Sequence, residues 1–505
     1  MRSLTFALSL SRSLLRLTTS AVSAIFLVSC GGGGDSGGSP LGGGIGLPTS
    51  ASLAQQCLMP RATDTQGTLA TEKAFLRSWI DETYLWYQDV RDLPPATLDP
   101  TLYATPIDYF AALKTPLLTA TGAKKDRFHF TYDTPTWVAL SQQGVSYGYG
   151  MGIALVSATP PRLAVVGFLE PGASPARSNG IARGATILTV DGVDVANGSD
   201  RATLNAGLFP EAAGPHTFVI QDFGAASART VTMTAQQIIE TPVQFVQTLP
   251  APNASVGYLL FNDHIATAES GLVAAINTLK TAGVTDLVLD LRYNGGGYLD
   301  IASDLAYMIA GPTATNGKVF ERLSFNNRNP FPAQSTNFHS TGSFGATNGT
   351  TLPFLGLNRV FVLTTGDTCS ASEAVMNGLR GAGITVNQIG TTTCGKPYGF
   401  FPTDNCNTTY FAIQFQGVNN VGFGDYTDGF VPTCVVADDF SRALGDPAEN
   451  LLEVALAYRG NGGTCVPPSG MRAGALVAAR ASADAIGGPA LTRSPFRENR
   501  IYRPQ

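Results

Sequence analysis

A multi-domain α/β chain is what this sequence predicts, and three observations carry that reading. At 505 residues it exceeds what one ordinary core accommodates. From about Val243 to Tyr458 apolar strand-like runs alternate with helical patterns, as in a mostly parallel sheet covered by helices. Between about Gly144 and Ala235 short β runs broken by glycine replace that rhythm, so a small β domain precedes the α/β one. Hydrophobic residues are 44% of the chain and charged residues 14%, which excludes a disordered protein. A net charge of −5 and the lack of any long basic run argue against nucleic acid as a partner.

The elements follow in chain order. Arg2, Arg12 and Arg16 precede the apolar segment Ala21–Val28, the pattern of an export signal. Leu27-Val28-Ser29-Cys30 resembles a bacterial lipobox. That resemblance implies a signal peptide over 1–30 and acylation of Cys30, which would become the new N-terminus. The glycine-rich 31–55 then reads as a flexible tether, and a membrane becomes a partner through the lipid anchor. The expected location is the cell envelope, on the periplasmic face of a membrane; Gly31 after the cysteine favours an outer membrane in Gram-negative sorting. Downstream, no apolar stretch reaches the roughly 18 residues of a spanning helix.

Residues 56–140 read as an N-terminal helical region. In "KAFLRSWIDETYLWYQDV" Phe75, Trp79 and Ile80 form one stripe that Tyr84, Leu85 and Trp86 extend, which suits core packing. Over 141–237 come the runs "GYGMGIALV", "RLAVVGFL", "ATILTVDGVDV", "HTFVIQDF" and "RTVTMTA". With "PGASPARSNGIARGA" between the second and third, this segment resembles a PDZ domain, although Gly184-Ala185 stands where such domains usually have Gly-Asp. The resemblance implies a groove at Gly150, Met151, Gly152 and Ile153 that takes an extended peptide by β-addition and receives its terminal carboxylate on backbone N–H groups.

Residues 238–460 hold the alternating β and α pattern, and 461–505 form a C-terminal extension. Two polar motifs, "NGGG" and "TCSASE", fall at the carboxyl ends of predicted strands, where sheets of this kind place their chemistry. A serine at a strand-to-helix turn either caps the helix or presents a nucleophile beside free backbone N–H groups. A nucleophile needs a base. His264 beside Asp263 is one candidate and Lys396 in "TTCGKPYGFF" is another. Lys396 is one of only seven lysines and has apolar and aromatic company, so it reads either as a desolvated base or as a snorkelling surface residue.

Residues 240–435 resemble the C-terminal processing (tail-specific) serine peptidases. Three motifs carry the likeness: "DLRYNGGG" (290–297), "SASE" (370–373), and "GK" (395–396), the last 26 residues beyond Ser370. The resemblance implies Ser370 as nucleophile and Lys396 as general base. It also implies an oxyanion hole from the N–H groups of Ala371 and Gly296, with Gly296 favoured over Gly295 because family members often carry proline there. Ser372 and Glu373 would orient or cap. Phe400 stands where many members have a glutamine that orients the lysine, and Gly381 where an acidic residue is frequent. Thr393 and Tyr398 are candidate substitutes for that glutamine.

The expected function is therefore a serine endopeptidase acting on protein or peptide substrates through a Ser-Lys dyad, with no cofactor and no metal. The alternative is a non-catalytic peptide-binding lipoprotein on the same folds. Nothing in the sequence bears on oligomeric state. Besides Cys30, six cysteines remain in an exported chain and suggest disulfides, for which 15 pairings exist. "CGKPYGFFPTDNC" makes Cys394–Cys406 the first expected bridge.

Overall fold

The computed structural model describes residues 46–332, 334–469 and 500–501. The signal segment, Cys30 and the first part of the tether lie outside the described residues. The end of that tether, however, is docked: Ser50 N–H donates to Glu82 Oε1 at 2.8 Å and Gln55 N–H to Asn405 Oδ1 at 2.8 Å.

A six-stranded sheet forms the middle of the α/β region, in the order 243–248, 256–261, 286–290, 359–364, 385–390, 434–435. Only the first pairing is antiparallel, and the other four are parallel. The central strands 256–261, 286–290 and 359–364 are largely apolar along their length because both faces are covered, whereas edge strand 243–248 carries Gln244, Gln247 and Thr248. Alternation assigns the faces. Leu259, Phe261, Leu287, Leu289, Val360 and Val362 pack with Leu272 and Ile276 of helix Ala268–Thr281, Leu305 and Met308 of helix Leu299–Thr315, and Val375 and Leu379 of helix Ala371–Gly381. Tyr258, Leu260, Val288, Phe361 and Leu363 face Leu451, Leu452 and Val454 of helix Asn450–Gly460. Each such side chain, fully buried, contributes about 1.5–3 kcal/mol.

The N-terminal region is not a helical unit of its own. Helix Leu69–Thr83 begins at a Thr68–Thr71 capping box, and its Phe75, Leu76, Trp79 and Ile80 join the same core as the sheet. Strand Phe130–Asp133 pairs antiparallel with Thr408–Phe411, far along the chain. The disulfide Cys57–Cys406 ties the two segments together, so the expected Cys394–Cys406 bridge is wrong. Cys434–Cys465 fastens the start of the C-terminal extension to the sheet edge.

The β region is an antiparallel sheet in the order 145–148, 229–239, 214–221, 186–190, 163–169, 151–157, with its own core around Ile187, Phe218, Ile220 and Met233. Strand Met151–Ser157 lies at its edge.

Candidate active site

Strands 286–290, 359–364 and 385–390 are neighbours, and the three loops leaving their carboxyl ends carry Gly295–Gly297, Ser370 and Lys396. The loops are stitched to each other. Cys369 N–H and Ser372 Oγ both donate to Asn294 O, at 3.1 and 3.0 Å. Cys394 N–H donates to Thr368 O at 3.0 Å, and the disulfide Cys369–Cys394 links the nucleophile loop to the lysine loop. Both cysteines lie on the loops that leave adjacent strands, with Cα atoms 5.1 Å apart, a separation that a disulfide spans.

Ser370 sits at φ 61°, ψ −111°, a left-handed backbone that a non-glycine residue adopts at a cost of about 1–3 kcal/mol. Its N–H donates to Glu373 Oε2 at 2.9 Å, as in a capping box, while its buried Oγ has no hydrogen-bond partner among the described residues. A cap would spend that oxygen on the helix. Here it is held back.

Glu373 organises the site. Its fully buried carboxylate accepts from Ser370 N–H, Gly395 N–H at 2.9 Å, Lys396 N–H at 2.8 Å and Thr393 Oγ1 at 2.6 Å. Burial pushes the carboxyl up from its ordinary range, and those four donors oppose the rise. Thr393 thus acts on Glu373, with Lys396 secured through its backbone. The Lys396 ammonium is fully buried and lies 4.5 Å from the ring centres of both Phe128 and Phe400. Phe400, at the glutamine-like position, offers a ring face in place of an amide. Phe128 comes from the N-terminal region, and nothing in its local sequence marked it.

Ala371 N–H, the first of its helix, has no acceptor among the described residues. Gly296 does not match the expectation so simply. Its N–H donates to Asn294 Oδ1 at 2.9 Å, whereas Gly295 N–H has no acceptor among the described residues. His264 supports this loop. Its N–H donates to Gly296 O at 2.9 Å, its carbonyl accepts from Tyr298 N–H at 2.8 Å, and its Nδ1 meets Asn294 Oδ1 at 2.9 Å. Burial pushes the imidazole down to about 3, against the Asn294 and Gly296 contacts, so it is neutral near pH 7.

Beneath the glycine loop lies a buried charge network. Arg292, with no exposure, pairs with Asp290, Asp438 and Glu449 at 2.7–2.8 Å. Tyr293 Oη donates to Asp438 Oδ2 at 2.6 Å, and Arg183 from the β region reaches both Tyr293 Oη and Asp438. Burial alone would raise the Asp438 carboxyl, but Arg292 and Arg183 outweigh it and hold it low. The "DLRYNGGG" motif is therefore structural through Asp290 and Arg292, and its glycines follow the Asn294 carbonyl that accepts from Cys369 and Ser372.

A strained serine with an unspent hydroxyl, adjoining free N–H groups and a buried lysine on the next loop suit covalent acyl transfer. Residues 255–416 match the sequence profile of peptidase family S41. The chain carries an S41 peptidase domain.

Relatives of the S41 domain are carboxyl-terminal-processing proteases. One from Picosynechococcus is 30% identical over 158 residues, covering 31% of this chain and 37% of the relative. A chloroplastic C-terminal processing peptidase of Tetradesmus obliquus is 29% identical over 278 residues, covering 52% and 56%. The chain thus spans about a third to a half of the length of these relatives. A Bacteroides fragilis crystal structure assigned to the S41 proteases superposes with a TM-score of 0.58 at 24% identity, over 76% of this chain and 97% of that one, a likeness of fold.

The expected peptide-binding residues lie away from Ser370 in sequence, on the β region. Gly150 (φ 74°) packs where a Cβ would meet Ser174, and Gly152 where it would meet the Phe168 ring. Phe168 in turn stacks on Tyr293 at 5.7 Å, so strand 151–157 is packed toward the S41 domain's glycine loop. Ile153 is buried in the β core, while Met151 is partly exposed at the edge. Cys369, Glu373 and Cys394 cluster closely enough to suggest a metal, but the two sulfurs are joined in a disulfide and offer no thiolate. Among the described residues no helix is long and apolar enough to cross a membrane.

Proposed function

We propose that this chain is a cell-envelope serine endopeptidase that cleaves polypeptides through a Ser370–Lys396 dyad, held near a membrane by acylated Cys30. The observation that supports it most is the unspent hydroxyl of Ser370 on a strained turn, fixed through Glu373 to the same carboxylate that holds Lys396.

In this reading Ser370 Oγ attacks the substrate carbonyl and passes its proton to Lys396 Nζ. Lysine takes a proton only as the neutral amine, which removal from water favours. The oxyanion is received by Ala371 N–H and by a donor of the glycine loop. For Gly296 to serve, its N–H has to exchange Asn294 for the oxyanion. Lys396 then protonates the leaving amine, and water, deprotonated by Lys396, releases the acyl group. The edge strand Met151–Ser157 with Gly150 offers a PDZ-like groove for substrate C-termini by β-addition.

A second reading, with His264 as base, draws on its buried Nε2, which has no hydrogen-bond partner among the described residues. Peptide cleavage by Ser370→Ala, Lys396→Ala and His264→Ala distinguishes them. The dyad reading expects the first two to be inactive and the third to keep appreciable turnover.

A further inference from the structure

Among the described residues, the strand Gly297–Tyr298 pairs with one other strand, the chain's own segment Arg500–Ile501. The pairing is parallel, with Gly297 opposite Arg500 and Tyr298 opposite Ile501. Among the described residues Gly297 also forms an isolated bridge to His264. The same two residues lie against Tyr398–Gly399, an edge strand of another sheet that begins two residues after Lys396. Arg500–Ile501 therefore lies between the wall that follows the oxyanion loop and the wall that follows the lysine. An extended polypeptide laid between two strand edges is how a backbone-reading peptidase would hold its substrate.

Charge points the same way. Arg493, Arg497, Arg500 and Arg503 stand against one acid, Glu498, in this part of the chain. Exposed Asp425 and Asp428 flank Tyr398, whose hydroxyl is raised, mainly by burial and then by those two carboxylates, to about 12. Because Arg500–Ile501 belongs to the same chain, its pairing is intramolecular, at an effective concentration on the order of millimolar, so weak pairing suffices to fill the site.

We propose that the edges Gly297–Tyr298 and Tyr398–Gly399 form the substrate-strand site, that it prefers extended arginine-rich segments, and that Arg500–Ile501 occupies it in cis as a competitive inhibitor. The inhibitory part rests on the peptidase reading above, but occupancy does not.

The test uses the full chain. In a Ser370→Ala background, fluorescence anisotropy follows binding of a labelled peptide with the sequence of residues 496–505. The double substitution Arg500→Pro/Ile501→Pro removes the backbone donors of the cis strand and is expected to tighten peptide binding at least tenfold. Replacing the arginines of the peptide with glutamine is expected to weaken it at least tenfold. With Ser370 intact, the proline pair lowers KM for a labelled basic peptide by about tenfold and leaves kcat within twofold. Equal peptide affinity with and without the proline pair, or no binding to either, overturns cis occupancy. Equal binding of the glutamine peptide overturns the preference for arginine. Tightened binding by a chain that cleaves nothing keeps the occupancy and rejects the peptidase reading. Cleavage with unchanged KM does the reverse for inhibition.

Discussion

Glu373 Oε2 accepts the backbone N–H of Lys396 at 2.8 Å, and the same oxygen accepts that of Ser370 at 2.9 Å. One buried carboxylate thereby sets the spacing of the two residues proposed to do the chemistry. Glu373→Gln keeps the size but turns an acceptor into an NH2 group facing N–H donors. Loss of about 2–4 kcal/mol of stability is expected, together with a kcat reduction of at least tenfold and little change in KM. Urea unfolding and steady-state kinetics check both.

The second oxyanion donor is decided by Gly295→Pro. Gly295 is not among the glycines at positive φ, so proline is compatible in its sign of φ, and the substitution deletes the Gly295 N–H. If Gly296 is the donor, kcat/KM stays within a few-fold. If Gly295 is, a loss of about 100-fold or more is expected.

His264 gives a pH signature. Its folded value is about 3 against an ordinary 6.5, so the unfolded chain binds a proton that the folded chain does not. The cost begins as pH falls below 6.5 and is complete below the folded value. Between pH 7.5 and pH 5 it removes about 2 kcal/mol of stability. Denaturant midpoints measured in a Ser370→Ala background are expected to show this loss, and His264→Asn to lack it.

The disulfide Cys369–Cys394 spans 25 residues and joins the nucleophile loop to the lysine loop. Closing such a loop contributes about 3.5 kcal/mol in the chain-entropy treatment. Reductant is expected to lower activity before global unfolding, because these loops loosen first. Thiol counting on denatured protein, with activity followed against reductant, checks this; six free thiols before reduction would contradict it.

Part of this arrangement was legible in the sequence because the signals were local. Apolar runs alternating with helical periods announced the parallel sheet, and its strand ends placed the "NGGG" and "TCSASE" loops, whereas Lys396 and Gly296 were singled out by the family resemblance. What escaped was set by contacts distant in sequence. Phe128 reaches Lys396 only because strand Phe130–Asp133 pairs with Thr408–Phe411. Cys57 bonds Cys406 across 349 residues, so proximity in sequence misled the pairing. The Gly296 N–H looked available until the Asn294 side chain folded back on it. No local pattern announces that Arg500 lies opposite Gly297.

The most direct test of the account is turnover of a denatured model protein by the wild-type chain, Ser370→Ala, Lys396→Ala and His264→Ala, each checked for an unchanged melting temperature. The account predicts cleavage by the wild type, loss of at least 1,000-fold in Ser370→Ala and Lys396→Ala, and appreciable activity in His264→Ala. Near-wild-type turnover by folded Lys396→Ala, or no cleavage by the wild type, would contradict it.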